Sequence, residues 1–436
     1  MRNRVGPIGL LSLLLTAALL LGGCELSPAT IATTTVIIQT TAAPTPTPSP
    51  SPTPIPTPTP LPIPTPALAA DPLADAYFGP LPTPSAYIPL VHNEIRAIFI
   101  GPAGNIEANL AVARATEVNA VVVDLKESDG IYYECQVPLA LEIGAVKSLY
   151  SLKDVVAQCD ADNVKVIGRI VCFNDPLLTT AKPQYAISDQ AGKVLKFSNE
   201  GGNSFASPYN KDVWQYYIDI ALDAIAAGVD EIQFDYVRFP TGAARGGTKP
   251  YFGAEGTVPA KSAAINRFLQ SARNQIQYEK GIPVGADVFG IILTSKADGN
   301  GIGQDWSSIG LTGIDSLSPM IYPSHYANSS TTHYTGNGKG TYLNGILFDK
   351  PDLEPYKVMY NVLLLGKEST LQPDFAANRP YLQAFTAGYL PEGYYQNYGS
   401  EEIKAQINAI YDAGYKEWIC WNPSANYSNS SFAAEN

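Results

Sequence analysis

The run Asp230-Glu231-Ile232-Gln233-Phe234-Asp235-Tyr236-Val237-Arg238-Phe239-Pro240 holds the residues best suited to chemistry. Val229 to Phe234 reads as a buried strand that ends in a carboxylate, a phenol and a guanidinium before Pro240 stops the ladder. Asp235 therefore sits where backbone pairing stops and a cleft can begin. A carboxylate placed there, in a low-dielectric pocket beside a cation, is poised for acid–base or nucleophilic work. The plainer alternative is a strand-end ion pair between Asp235 and Arg238.

Other apolar runs end in the same manner. One closes on Asp124-Leu125-Lys126-Glu127, another passes Arg169 and ends Asn174-Asp175, and a third ends Asp287-Val288-Phe289. Strand period two puts Glu231, Gln233 and Asp235 on one face, and likewise Asp124 with Lys126, and Gly285 with Asp287. Asp124, Asp235 and Asp287 are then three carboxylates able to converge. Tyr236, Tyr322, Tyr326, His325, Trp418 or Trp421 would frame them, with Gln383 as a polar contact. Carboxylates ringed by aromatic faces and amide or guanidinium donors are what glycoside hydrolysis requires. In that reading Asp235 is the nucleophile or the carboxylate that stabilises an oxocarbenium ion, its pKa lowered by Arg238. Asp287 is the general acid/base and Asp124 an auxiliary. Arg238, Tyr236, Tyr322, His325, Gln383 and Trp421 bind substrate. Each residue also has a structural alternative: an Asp124–Lys126 pair, an Asp287 loop cap, tryptophans packed in the core. His325 and His333 lack a third ligand at metal-site spacing, so no metal is expected.

Elements at regular intervals would position these residues. Strands read at Ile95–Ile100, Ala120–Leu125, Val164–Val171, Val229–Asp235, Pro283–Val288, Ser316–Ile321, Tyr381–Phe385 and Glu417–Trp421. Helices read at 106–118, 148–161, 208–227, 260–279, 354–368 and 400–413, with at most one turn near Trp306 after the fifth strand. Eight βα steps with continuous apolar strands predict an α/β fold, a (β/α)₈ TIM barrel, whose strand ends share one mouth. The Gly-rich phosphate turn of a doubly wound sheet is absent, as is a Walker A sequence, and no cofactor is expected.

The first part of the chain has another composition. Arg2 and Arg4 precede an apolar stretch, Ile8 to Leu21, and then Gly22-Gly23-Cys24. Residues 1–23 read as a lipoprotein signal peptide, with Cys24 the lipidated residue; an ordinary secretory signal or an uncleaved anchor are the alternatives. Residues 24–89 read as a disordered Thr/Pro-rich linker. Proline holds every even position from Pro44 to Pro66, and that stretch in polyproline II would reach on the order of 70 Å. Residues 90–430 read as the barrel domain. A net charge of −12 argues against nucleic acid as a partner. The expected partners are a polysaccharide substrate and a membrane held through the Cys24 lipid, with a monomeric protein on the extracellular side. Cys135, Cys159, Cys172 and Cys420 lack zinc-site spacing; their pairing stays open, with Cys172 and Cys420 reading as buried free thiols.

The runs EIQFDYVRFP, GRIVCFNDPLL, SPMIYPSHY, RPYLQAFTAGY and ICWNPSANY resemble those of a bacterial family of glycoside-hydrolase-like domains assigned to the TIM-barrel glycosidases. The similarity spans about residues 94–427. It implies a retaining sugar hydrolase of unspecified substrate. An acidic residue is expected after Gln383, and Ala384 stands there; were that acid catalytic, this chain would be impaired. The competing reading is a catalytically silent, carbohydrate-binding or wall-attachment lipoprotein on a barrel scaffold. A deacetylase or other metal hydrolase lacks a ligand set.

Overall fold

Eight parallel strands close on themselves: β1 (Arg96–Gly101), β2 (Ala120–Glu127), β3 (Lys165–Val171), β4 (Glu231–Asp235), β5 (Val284–Phe289), β6 (Ser316–Met320), β7 (Tyr381–Gln383) and β8 (Trp418–Trp421). Each pairs with its neighbours in sequence, and β1 pairs with both β2 and β8, which completes a (β/α)₈ TIM barrel. This is a computed structural model, and it describes residues 67–102, 104–242, 244–326 and 340–434. The leader, Cys24, the proline-alternating stretch and His333 lie outside the described residues.

The strands read as unbroken apolar runs because both of their faces are buried. In β1, Ala97 and Phe99 face inward with Ala120, Val122, Ile167, Tyr322, Tyr381 and Ile419. Ile98 and Ile100 face outward into the larger layer beneath the helices. That outer layer is sealed by α2 (Ile106–Ala113), α3 (Leu152–Ala161), α4 (Lys211–Ala226), α5 (Lys261–Ala272), α6 (Pro355–Thr370) and α7 (Ser400–Asp412). The link from β5 to β6 carries two short helices, Lys296–Ile302 and Trp306–Ile309, where at most one turn near Trp306 is expected. β6 pairs first with Ala377–Asn378 and then with Tyr381, and the ladder is interrupted at Arg379-Pro380, where proline has no N–H to give. All four cysteines among the described residues are buried and unpaired.

One boundary is corrected. The sequence reading leaves residues 24–89 as a disordered linker, yet Pro72–Phe78 forms a helix, α1, docked on the barrel. Asp71 caps it by accepting from the amides of Leu73 and Ala74, and Pro72 occupies the first turn. Phe78 is buried against Trp214 and stacked on Tyr209. Beyond α1, the chain stays on the barrel wall through Asn274 to the Pro82 carbonyl and Ile88 N–H to the Tyr278 carbonyl. Proline and alanine content hid a segment that Phe78, the Asp71 cap and these contacts to the barrel wall hold in place.

The N-terminal end of the barrel is plugged by charge. Arg379, fully buried, donates from Nε to Glu417 (2.8 Å) and from Nη1 to Glu231 on the first residue of β4. His92 closes the assembly from outside, with Nδ1 3.0 Å from Asp315 and Nε2 2.7 Å from Glu417. Gly285 makes room for it: a Cβ there would lie 2.6 Å from Ser316 Oγ and 3.2 Å from Glu231 Oε1.

Candidate active site

At the opposite end, the C-terminal ends of β2 to β5 converge on one guanidinium. Arg169 lies within β3, beside Asp124 of β2 and Gln233 of β4 in register. Its Nε and Nη2 both reach Asp235 Oδ2, at 3.0 and 2.6 Å, and its Nη1 reaches Asp124 Oδ1 and Glu127 Oε1, each at 2.5 Å. A fourth carboxylate, Asp287 Oδ2, lies 3.9 Å from Arg169 Nε. The three carboxylates expected to converge therefore do so, joined by Glu127. The guanidinium fills the point where they meet. Among the described residues no three His, Cys, Asp or Glu side chains are grouped to hold a metal ion.

The environments of these carboxylates differ. Burial pushes Asp287 well above the usual carboxylate range, and the nearby Asp235 charge adds to the effect while Arg169 opposes it. Asp287 Oδ1 has no hydrogen-bond partner among the described residues, although the residue is 1% exposed. A buried carboxyl oxygen without a partner is costly as an anion and is best held as a neutral acid. Burial also lifts Asp124, to about 6, against the pull of Arg169. Asp235 is surrounded instead by donors: Arg169 on Oδ2, and the Tyr236 amide on Oδ1 at 2.5 Å. Continuing the β4–β5 register (Phe234 opposite Ala286) by one residue sets Asp235 opposite Asp287. Because both carboxylates approach Arg169 Nε, their facing oxygens are at most about 7 Å apart. That ceiling spans the retaining separation of about 5–5.5 Å and only the bottom of the inverting range.

Tyr236 adopts φ 52°, a left-handed backbone that aromatic residues rarely take. The chain turns sharply there, immediately after Asp235, and Arg238 is carried away from the site. This corrects the expected Asp235–Arg238 pair. Arg238 is 2% exposed, and grips Glu200 through two nitrogens at 2.9 and 3.1 Å. Its guanidinium lies over the rings of Phe289 and Tyr236, 4.5 and 4.7 Å from their centroids. It fastens the loop after β3 to the loop after β4, buried away from Asp235.

The expected pairing of Asp124 with Lys126 is corrected too. The β2–β3 register slips between these residues, so period two fails, and Lys126 goes to Asp175 at 2.9 Å. Gln383 is likewise a framework residue. It is fully buried, accepting from the Ser324 amide and donating to Asp352 and to the Phe385 carbonyl. Ala384 packs in the outer apolar layer, so an acid at that position would point away from Arg169. Trp421, Tyr322, Phe99 and Phe385 form an aromatic wall at the mouth, whereas Trp418 is buried in the outer layer against Phe432. His325 is exposed beside Tyr322, edge to face at 5.0 Å. Two further groups line the interior near Asp287: Tyr381, whose hydroxyl donates to Gln233 Oε1 at 2.8 Å, and Ser318, opposite Asp287 in register.

Arg169, Glu127 and Tyr381 stand outside the set of site residues read from the sequence. An isolated arginine in the apolar run Lys165–Val171 was the available signal for the first, since a buried cation requires partners on the strands beside it.

Residues 95–427 match a family model described as "Putative glycosyl hydrolase domain". Among solved structures, a hypothetical protein from Ruminiclostridium thermocellum is 38% identical over 44% of this chain and 97% of its own, with a TM-score of 0.39. The glycoside hydrolase domain of PgaB (BpsB) from Bordetella bronchiseptica is 12% identical over 77% of this chain and 95% of its own, with a TM-score of 0.53, a likeness of fold. The spore cortex-lytic enzyme SleL of Bacillus cereus is 11% identical over 79% of this chain and 75% of its own, with a TM-score of 0.43. No curated protein matches the chain.

Proposed function

The chain belongs to the family described as "Putative glycosyl hydrolase domain", and on that premise we propose that it hydrolyses glycosidic bonds with Asp287 as general acid and Asp235 as nucleophile. The observation that carries this reading is the contrast between adjacent carboxyls. Asp287 is buried, raised and unpartnered on Oδ1, while Asp235 is gripped by Arg169 and a backbone amide. Asp287 gives its proton to the leaving oxygen as the C–O bond breaks, and Asp235 bonds to the anomeric carbon. Water then displaces Asp235 and returns a proton to Asp287. Asp124 and Glu127 hold Arg169 from its far side, which fixes the orientation it offers Asp235. Tyr322, Trp421 and His325 supply the surfaces for sugar rings.

The substrate we infer is an extracellular or cell-wall polysaccharide, met by a domain tethered through Cys24 and spaced from the membrane by the proline-alternating stretch. The test compares wild type with Asp235→Asn on wall and storage polysaccharides, scoring both retention and released reducing ends. Cleavage should fall by several orders of magnitude while retention persists. Equal cleavage by the two proteins would exclude Asp235 as nucleophile. Retention without cleavage by wild type on every polymer would favour the silent, carbohydrate-binding reading.

A further inference from the structure

The geometry points to a second glycan-binding site, outside the barrel mouth, in the cleft between α1 and the loops that follow β3 and β4. The cleft has a volume of about 420 Å³, within the range of ligand pockets, and its walls include Tyr77, Gln184, Tyr209, Asn210, Tyr251 and Phe252. It takes from the proposed function only that the domain meets polysaccharides.

Three observations carry it. The rings are graded from core to surface: Phe239 is buried, Phe252 and Tyr209 are half-buried against it at 5.4 Å each, and Tyr77 and Tyr251 are 40% and 46% exposed. Of the outer rings, Tyr77 meets Tyr209 edge to face at 5.8 Å, and Tyr251 is fixed through its backbone N–H to the Ser188 carbonyl. Exposed, braced aromatic faces are surfaces on which the C–H face of a sugar stacks. Between the rings lie uncharged hydrogen-bonding side chains, Ser188, Ser207, Asn210 and the exposed Gln184, whose side-chain amide has no partner among the described residues. The two charges at the cleft, Lys211 and Asp212, have opposite sign, so the cleft suits a neutral chain rather than a polyanion or a basic peptide.

Its position adds to this. Gln184, Ser188 and Ser207 belong to the segment after β3, Tyr251 and Phe252 to the segment after β4, and Asn210 caps the start of α4. These elements all lie at the barrel end where Arg169 and Asp235 emerge. A polymer held in the cleft would be kept beside the mouth without entering it.

The experiment uses the full chain carrying Asp235→Asn, so that no polymer is consumed, with and without Tyr77→Ala and Tyr251→Ala together. Retention is measured on insoluble peptidoglycan sacculi, chitin, cellulose and xylan. Cleavage of short soluble oligosaccharides is measured in parallel with Asp235 intact. The double variant should be retained about tenfold less on the polymer that binds, the scale of two lost ring faces, while short-substrate cleavage is unchanged. Tyr251→Trp with Tyr77 intact keeps a ring face and should be retained nearly as well as the parent protein. Undiminished retention of the double variant, retention of neither protein on any polymer, or an equal loss of short-substrate cleavage overturns the proposal. Retention through the cleft by a wild type that cleaves nothing would uphold it and remove the catalytic reading instead.

Discussion

Arg169 is one cation set among Asp124, Glu127, Asp235 and Asp287. Removing a buried counter-charge costs more than the pair itself contributes, because the carboxylates left behind must be desolvated alone. Arg169→Met keeps the volume and deletes the charge. It should lower the stability of the domain by about 3–5 kcal/mol, read as a shifted denaturant midpoint, and abolish cleavage. A variant with wild-type stability would show that the carboxylates shed their charge instead. The sequence drew attention to Arg238, three residues from Asp235, and local proximity was misleading for a definable reason. The left-handed turn at Tyr236 redirects the chain, and a single positive φ at an aromatic residue leaves no mark in composition or periodicity. Asp124, Asp235 and Asp287 were legible because each ends an apolar run, and strand ends in a closed barrel have one place to go.

At the scale of elements, the eight strands were visible as buried runs, and the helix at 354–368 was identifiable from Pro355 at its start. Side-chain direction was readable only where period two survives; the slip at Leu125 reversed it for Lys126. The charged plug at the barrel floor was not readable at all. His92, Glu231, Asp315, Arg379 and Glu417 are scattered over more than three hundred residues and meet only because strand starts share a ring. Hydrogen bonds to Asp315 and then to Glu417 raise His92 from 6.5 to about 10. A histidine raised on folding stabilises the native state fully below its unfolded pKa, and that contribution fades as pH climbs toward its folded pKa. Wild type should therefore lose thermal stability between pH 6.5 and 10, and His92→Gln should be less stable at pH 6 with a flatter decline. Melting curves for both proteins across that window test it; parallel declines would mean that His92 does not hold the floor together.

For the whole molecule, the domain includes its own approach segment. Phe78 fills a site against Trp214 and Tyr209, and Arg267 meets Asp75 from the barrel side. Phe78→Ala should cost about 3 kcal/mol and make the segment before residue 90 newly sensitive to protease, with the barrel fragment itself resistant. An unchanged cleavage pattern would mean that α1 is held by other contacts. Cys24→Ser asks the complementary question about the proposed tether: the variant should leave the membrane fraction, and unchanged partition would remove lipidation. The two answers together bear on what α1 would do under the proposed tether. Tension drawn along the chain from residues before Asp71 would enter the fold through α1, a seven-residue helix held by the rings of Phe78 and Tyr77, the Arg267–Asp75 pair and a hydrogen bond from Lys211 to the Phe78 carbonyl, and through the strap that follows it. The strands of the barrel lie behind that attachment in the line of force. Were the chain tethered as proposed, the helix would take the load first, and the carboxylates around Arg169 would stay in register while it yields.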